Sequence, residues 1–273
     1  MSLQSRRETV LAALEALPAY QPTSAVLTFL GKPVVGNHGI FAEFAAAAVN
    51  KFAEAVAAFA ASSIAPLGDR GPIRDRENYQ LLITGTALGS FGFELEEIQP
   101  QTPTPVEDLS IVGQAIVQIR GFLEATKGSD DDLADAAAET SPRSVSAIRE
   151  FLQTVASHEA ICALEHRDIV FRFDDVGQIR RSVERLSQDN LHEEEKWIEG
   201  SFQGVLPNRR TFEFRDTEAG EIISGKVGLD IEDAGTINHI LEQPVRIQVM
   251  ATRIGNGRPR YVLLRFEEQV TEE

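Results

Sequence analysis

The chain has 273 residues, 42% of them hydrophobic and 25% charged, with 42 acidic residues against 26 lysines and arginines, a net charge of −16. This composition excludes wholesale disorder and a fibrous class, and the length favours two domains. The net charge disfavours general attraction to nucleic acid or to an anionic membrane, and it favours a partner with a basic surface. A single cysteine, Cys162, excludes an intrachain disulfide and favours a cytoplasmic location.

The first eighty residues alternate between helical and strand patterns. Residues 1–17 predict an amphipathic helix, with too short an apolar run for a signal peptide. Residues 24–30 predict a strand. From Phe41 to Phe59, large apolar residues recur every three or four positions, which predicts a long helix that faces a sheet. The polar residues within this stretch make it too polar to span a membrane.

Residues 79–98 predict the central hairpin of the first domain. The apolar run at residues 81–83 predicts a buried strand as its first arm, and in its second arm Phe91, Phe93 and Leu95 alternate with other residues, the period of a strand with one buried face. The glycines between the arms do not match a phosphate-binding loop, because no lysine stands in register and no helix follows. They favour a bulged hairpin.

Helices and strands continue to about residue 186. Helical patterns cover residues 106–123, a short stretch after Ser129, residues 142–155 and residues 175–186, and strand patterns cover residues 160–164 and 169–173. Together these elements predict an α+β domain, residues 1–189, with helices on a mostly antiparallel sheet. The polar stretch 186–196 predicts a linker or a frayed helix end and places the domain boundary near Asn190.

Residues 190–273 predict a small β-barrel. The expected strands are residues 197–206, 211–215, 221–227, 245–254 and 260–266, with a short helix over 230–242. Three strands, a helix and two more strands is the order of the five-stranded OB-fold, and an SH3-like barrel is the alternative. This resemblance is to a fold pattern and covers about the last third of the chain.

Few residues offer catalytic or metal-binding chemistry. His158, Cys162 and His166 are spaced by four, so on one helix the outer pair would lie about 12 Å apart, too far to share a zinc ion bonded at about 2.1 Å. We expect a buried, inert cysteine and two surface histidines. The aspartates of residues 130–135 lack calcium-loop spacing and suit the start of a helix. The sequence predicts no metal, cofactor or catalytic residue.

One group of residues favours a binding function. These residues lie in the loop between the first and second barrel strands and around the loop between the fourth and fifth: Arg209, Arg210, Arg253, Arg258, Arg260 and Tyr261. In OB-folds these loops flank the oligonucleotide-binding face, where guanidinium groups pair with phosphates and a tyrosine ring stacks on a base. The same arginines can instead pair with the acidic first domain or with a partner protein.

The sequence therefore predicts a non-enzymatic cytoplasmic protein that acts by binding a protein partner, as an accessory or neutralising subunit of a bacterial system does. The alternative is nucleic-acid binding through the basic loops of the barrel. A hydrolase assembled from scattered carboxylates is a third interpretation. No membrane partner is expected.

Overall fold

The computed structural model describes residues 22–68, 70–87, 91–98 and 110–268. The helix predicted over residues 1–17, the hairpin tip at residues 88–90 and the predicted helix start at Val106 lie outside the described residues. Within them the chain forms α-helices, two five-stranded sheets and a two-stranded ribbon. The predicted α+β class is confirmed.

Five α-helices belong to the first part of the described chain: α1 (Ala42–Ser62), α2 (Ile111–Lys127), α3 (Asp130–Ala138), α4 (Pro142–Ser157) and α5 (Val176–Arg185). Side-chain caps begin four of them, because Ser110, Ser129, Ser141 and Asp175 each accept a hydrogen bond from a first-turn amide. α2 ends at Lys127, and Gly128 follows it as the C-cap.

The first sheet is antiparallel throughout. The strands of this part are β1 (Ser24–Gly31), β2 (Val34–Val35), β3 (Gly39–Ile40), β4 (Leu81–Ala87), β5 (Phe91–Glu97), β6 (Ala160–His166) and β7 (Ile169–Arg172). Their order in the sheet is β4-β5-β1-β6-β7, and β2 pairs with β3 in the ribbon. The predicted hairpin is confirmed as β4 and β5, with a register shift between Ile83 and Gly85. The prediction that its first arm is buried is wrong, because β4 is an edge strand and Leu82 and Ile83 are 48% and 58% exposed.

One face of this sheet carries the first core. Alternate residues of β1 are buried, and Phe29 packs edge-on against Phe44 of α1 with ring centroids 5.1 Å apart. Farther along α1, Phe52 packs against Phe151 of α4. The helical stripe read from the sequence is therefore the contact between α1 and the core. By length and composition alone α1 is long and apolar enough to cross a membrane, as the core helices of soluble proteins can be too. In this structure 56% of its most apolar stretch is buried.

The second sheet closes on itself as a five-stranded barrel. Its strands are β8 (Leu191–Leu206), β9 (Thr211–Asp216), β10 (Ile222–Val227), β11 (Val245–Ile254) and β12 (Arg260–Glu268). They pair in the order β10-β12-β11-β8-β9, and β9 pairs with β10 to complete the ring. The helix predicted between the third and fourth strands is a 3-10 helix, Ala234–Ile240. Phe202, Phe212 and Phe214 fill the interior.

The prediction of a linker or frayed helix end over residues 186–196 is wrong from Leu191 onward. β8 begins at Leu191, and its first residues pair with β11 as far as Leu191 opposite Ile254. The polar run Glu193–Glu195 is held in a strand because β11 supplies its hydrogen-bond partners, so tertiary pairing overrides the low strand propensity of glutamate. Leu191 and Ile254 pack against the first core, and the two parts of the chain meet there.

Candidate binding surfaces

Arg210 is used to stabilise the barrel. It follows the 3-10 turn Pro207–Arg209 in a left-handed conformation. Its guanidinium group donates hydrogen bonds to the main-chain carbonyls of Val227, Gly228 and Ile231, the last at 2.7 Å. Arg210 therefore fixes the segment that follows β10. These hydrogen bonds use N–H groups that would otherwise be open to solvent or to a ligand.

Arg260 and Lys226 join the barrel to α3. The guanidinium group of Arg260 contacts Asp131 with an N–O distance of 3.2 Å, and its Nε donates to Asp135. The hydrogen bond to Asp135 raises the pKa of Arg260 above its ordinary value. Lys226 Nζ lies 3.1 Å from a carboxylate oxygen of Glu139. We call these five residues the barrel–α3 junction.

The other predicted binding residues remain near the barrel surface. Tyr261 is half-buried and packs against the barrel core, so its ring is not a free stacking surface. Arg209, Arg253 and Arg258 are exposed, and none of them forms an ion pair with another described residue. Arg253 lines a cleft of about 480 Å³ at the start of β8. The structure thus separates three exposed arginines from two that are bound internally.

Sequence reasoning missed a cluster of two arginines around Trp197 on the barrel exterior. The guanidinium carbons of Arg246 and Arg265 lie 4.6 and 4.8 Å from the ring centroid of Trp197, within cation–π range. Gln248 lies in register between Trp197 and Arg265; it accepts a hydrogen bond from Arg265 and donates one to Glu195. Only the register of three strands brings these residues together, and no local pattern in the sequence reveals it.

The outward face of the first sheet contains a second feature that the sequence did not indicate. Small residues from four neighbouring strands lie in register across it: Ala87, Gly92, Thr28 and Ala163. Larger residues stand on both sides of this row, and the resulting cleft has a volume of about 540 Å³. Two of its lining residues, Leu30 and Val170, are 48% and 54% exposed. We call this feature the sheet trough.

The predicted burial of the cysteine is confirmed. Cys162 is 4% exposed on the core face of β6, and burial raises the pKa of its thiol to about 12. The thiolate needed for nucleophilic attack is therefore scarce at neutral pH. Across the described ranges, no group of three or more His, Cys, Asp or Glu side chains is placed to hold a metal ion.

The prediction of two surface histidines is half wrong. His158 is exposed, but His166 is only 3% exposed. The alternation of β6 explains this, since residue 166 falls on the same face as Cys162 and Leu164. The Nδ1 atom of His166 lies 2.8 Å from the carbonyl oxygen of Ser24.

Comparison with known proteins found no match. No protein-family model, no curated protein and no solved structure matches the chain.

Proposed function

We propose that this chain is a non-enzymatic binding protein that acts through a protein partner with a basic surface, as an accessory or neutralising subunit of a bacterial cytoplasmic system does. The observation that carries the proposal is the barrel–α3 junction. There the basic edge of the barrel is matched to carboxylates displayed by a protein helix, so Arg260 and Lys226 are already engaged. The chain as a whole has a net charge of −16, which steers it toward basic partners and speeds association with them.

Nucleic-acid binding by the barrel is the second candidate, and the strand pairing favours it. β8 pairs with both β9 and β11, β10 pairs in parallel with β12, and the 3-10 helix lies between the third and fourth strands. This connectivity supports an OB-like barrel over an SH3-like one. Arg209 and Arg258 lie in or beside the two loops that bind oligonucleotides in OB-folds, and both are exposed.

One pair of substitutions separates the two candidates. Arg209→Glu with Arg258→Glu changes the charge by −4 in all and touches no core residue, because both side chains are exposed. The matched control is Arg180→Glu with Arg181→Glu, which makes the same charge change at exposed positions of α5. Each full-length protein is titrated against a fluorescein-labelled single-stranded oligonucleotide, and each is used as bait for quantitative affinity capture.

Protein binding predicts no oligonucleotide binding by the full chain at about 150 mM salt, where charges beyond about 8 Å are screened. It also predicts that affinity capture with the wild-type protein as bait recovers a partner protein. If the full chain binds the oligonucleotide at that salt concentration, and the Arg209/Arg258 variant loses binding while the control keeps it, the barrel is a nucleic-acid module and the order of the candidates reverses.

A further inference from the structure

We infer that the sheet trough is the docking site for one amphipathic α-helix of the partner protein, a helix that carries lysine or arginine along one side. The inference rests on the proposed function, that the chain acts through a protein partner, and it names the surface and the kind of element that binds there. It follows from the shape of the trough, from its length and from the charges on its rim.

The width of the trough fits a helix. Its walls include Val26 and Leu30, which are four residues apart on β1. Their Cα atoms are therefore about 13–14 Å apart, at about 3.4 Å per residue. The floor between them is Thr28, flanked in register by Gly92 and Ala163. An α-helix with its side chains is about 10–12 Å in diameter. Two copies of the same concave face would touch only along their walls, so a convex occupant is favoured over a second copy of this chain.

The length of the trough sets the length of the helix. It crosses the sheet from Ala87 on β4 to Arg172 on β7, which are the two edge strands. Four strand spacings of about 4.8 Å give about 19 Å. At about 1.5 Å rise per residue this corresponds to about 13 helical residues, a common helix length in globular proteins.

The charges on the rim select a basic helix. Glu94 and Glu165 are both exposed, and they flank Val26 on either side, so one wall carries two carboxylates. The opposite wall, Leu30 and Ile161, carries none. A helix with an apolar stripe on the floor and cationic side chains toward the Glu94–Val26–Glu165 wall satisfies both walls, because lysine and arginine stems can cover apolar surface while their charged ends reach the carboxylates.

The far end of the trough fixes the direction of the helix. Arg172 stands at the β7 end and is exposed. The nearby carboxylate of Asp174 is already bound by Lys127 at 3.1 Å and by Gln178 at 2.9 Å. The guanidinium group of Arg172 is therefore the cation that faces the occupant, and it complements the negative C-terminal end of a helix.

A synthetic helix tests the inference on the full-length protein. The probe is a fluorescein-labelled 18-residue peptide of leucine and lysine with leucines at helical spacing, and its counterpart has glutamate in place of every lysine. Binding is measured by fluorescence anisotropy at about 150 mM salt, where long-range attraction is screened. The variants are Ala163→Trp, which fills the floor, and Leu30→Asp, which adds a negative charge to the wall that faces the apolar side of the helix. The control, Leu229→Asp, adds the same charge at an exposed leucine of the barrel.

Helix docking in the trough predicts that Ala163→Trp and Leu30→Asp each weaken binding of the lysine peptide at least tenfold, that Leu229→Asp stays within twofold of wild type, and that the glutamate peptide does not bind. Attraction by net charge alone predicts the opposite sign for Leu30→Asp, since a more acidic protein would bind the lysine peptide more tightly. Unchanged or tighter binding by Leu30→Asp therefore overturns the inference. Circular dichroism of each variant establishes that its fold is retained.

Two further outcomes separate failure of this inference from failure of the proposed function. If wild-type protein is dimeric by sedimentation and Ala163→Trp is monomeric, a second copy occupies the trough and the inference is overturned. If the captured partner is retained equally by wild type and by Leu30→Asp, the partner binds elsewhere, so the inference fails while the proposed function stands. If wild type retains no partner, the proposed function itself fails.

Discussion

Phe214→Ala is expected to destabilise the barrel by about 3–5 kcal/mol. The Phe214 side chain is 0% exposed, and its ring meets the ring of Phe202 edge-on at 5.1 Å. Truncation beyond the β-carbon removes roughly 100–150 Å² of buried apolar surface, which at about 25 cal/mol per Å² is about 2.5–4 kcal/mol. Loss of the edge-to-face pair adds about 0.5–1.5 kcal/mol.

Urea unfolding with two probes measures this loss. Trp197 is the only tryptophan of the chain and lies on β8, so its fluorescence reports on the barrel. Far-UV circular dichroism reports mainly on helices α1 to α5 of the first part of the chain. The matched control is Phe41→Ala, because the side chain of Phe41 is 56% exposed and its removal should cost less than about 1 kcal/mol.

A loss below about 1 kcal/mol for Phe214→Ala, equal to that of Phe41→Ala, would refute the placement of this ring in a packed interior. The two probes also test the domain boundary predicted near Asn190. A shift of the fluorescence transition alone supports a barrel that unfolds independently. A joint shift shows that the contact of Leu191 and Ile254 with the first core couples the two parts.

Two other predictions concern titratable groups in the first domain. A thiol reagent should modify Cys162 slowly in the native protein and rapidly in urea, because burial raises its pKa to about 12, and rapid native labelling would contradict its structural role. Ser129→Ala should destabilise α3 more at pH 7 than at about pH 2–3: hydrogen bonds from Ser129 lower the pKa of Asp132, so their stabilisation is present above the ordinary aspartate pKa of about 4 and is lost as pH falls through the lowered folded value. A difference in unfolding free energy that is the same at both pH values would show that the charge of Asp132 has no part in the cap.

Local periodicity was sufficient to locate most helices and strands. The stripe through Phe44 and Phe52 and the alternation along β1 both depend on spacing within one element, so the sequence reveals them directly. The run Glu193–Glu195 shows where this information ends. Its strand conformation depends on pairing with β11, more than fifty residues later, and local composition carries no record of that pairing.

The candidate binding residues show the same limit. The strand pattern located Arg210 in a loop and Arg260 at the start of a strand, but it did not reveal their partners. Arg260 is separated by 125 residues from Asp135, and only the packing of α3 beside the barrel brings them together. The sheet trough is a still stronger case, because its floor takes one residue from each of four strands, and Thr28 and Ala163 lie far along the sequence from Ala87 and Gly92.

The spacing of the acidic residues on α3 has a consequence for any polyanion that approaches the barrel. Asp131, Asp135 and Glu139 are four residues apart, so they form a row of fixed negative charges at steps of about 6 Å along one side of the helix. This row is an internal competitor for Arg260 and Lys226. A phosphate that reaches either cation must displace a carboxylate, so the contact exchanges one anion for another. Neutralising the three side chains as amides would remove the competitor and leave both cations open to solvent.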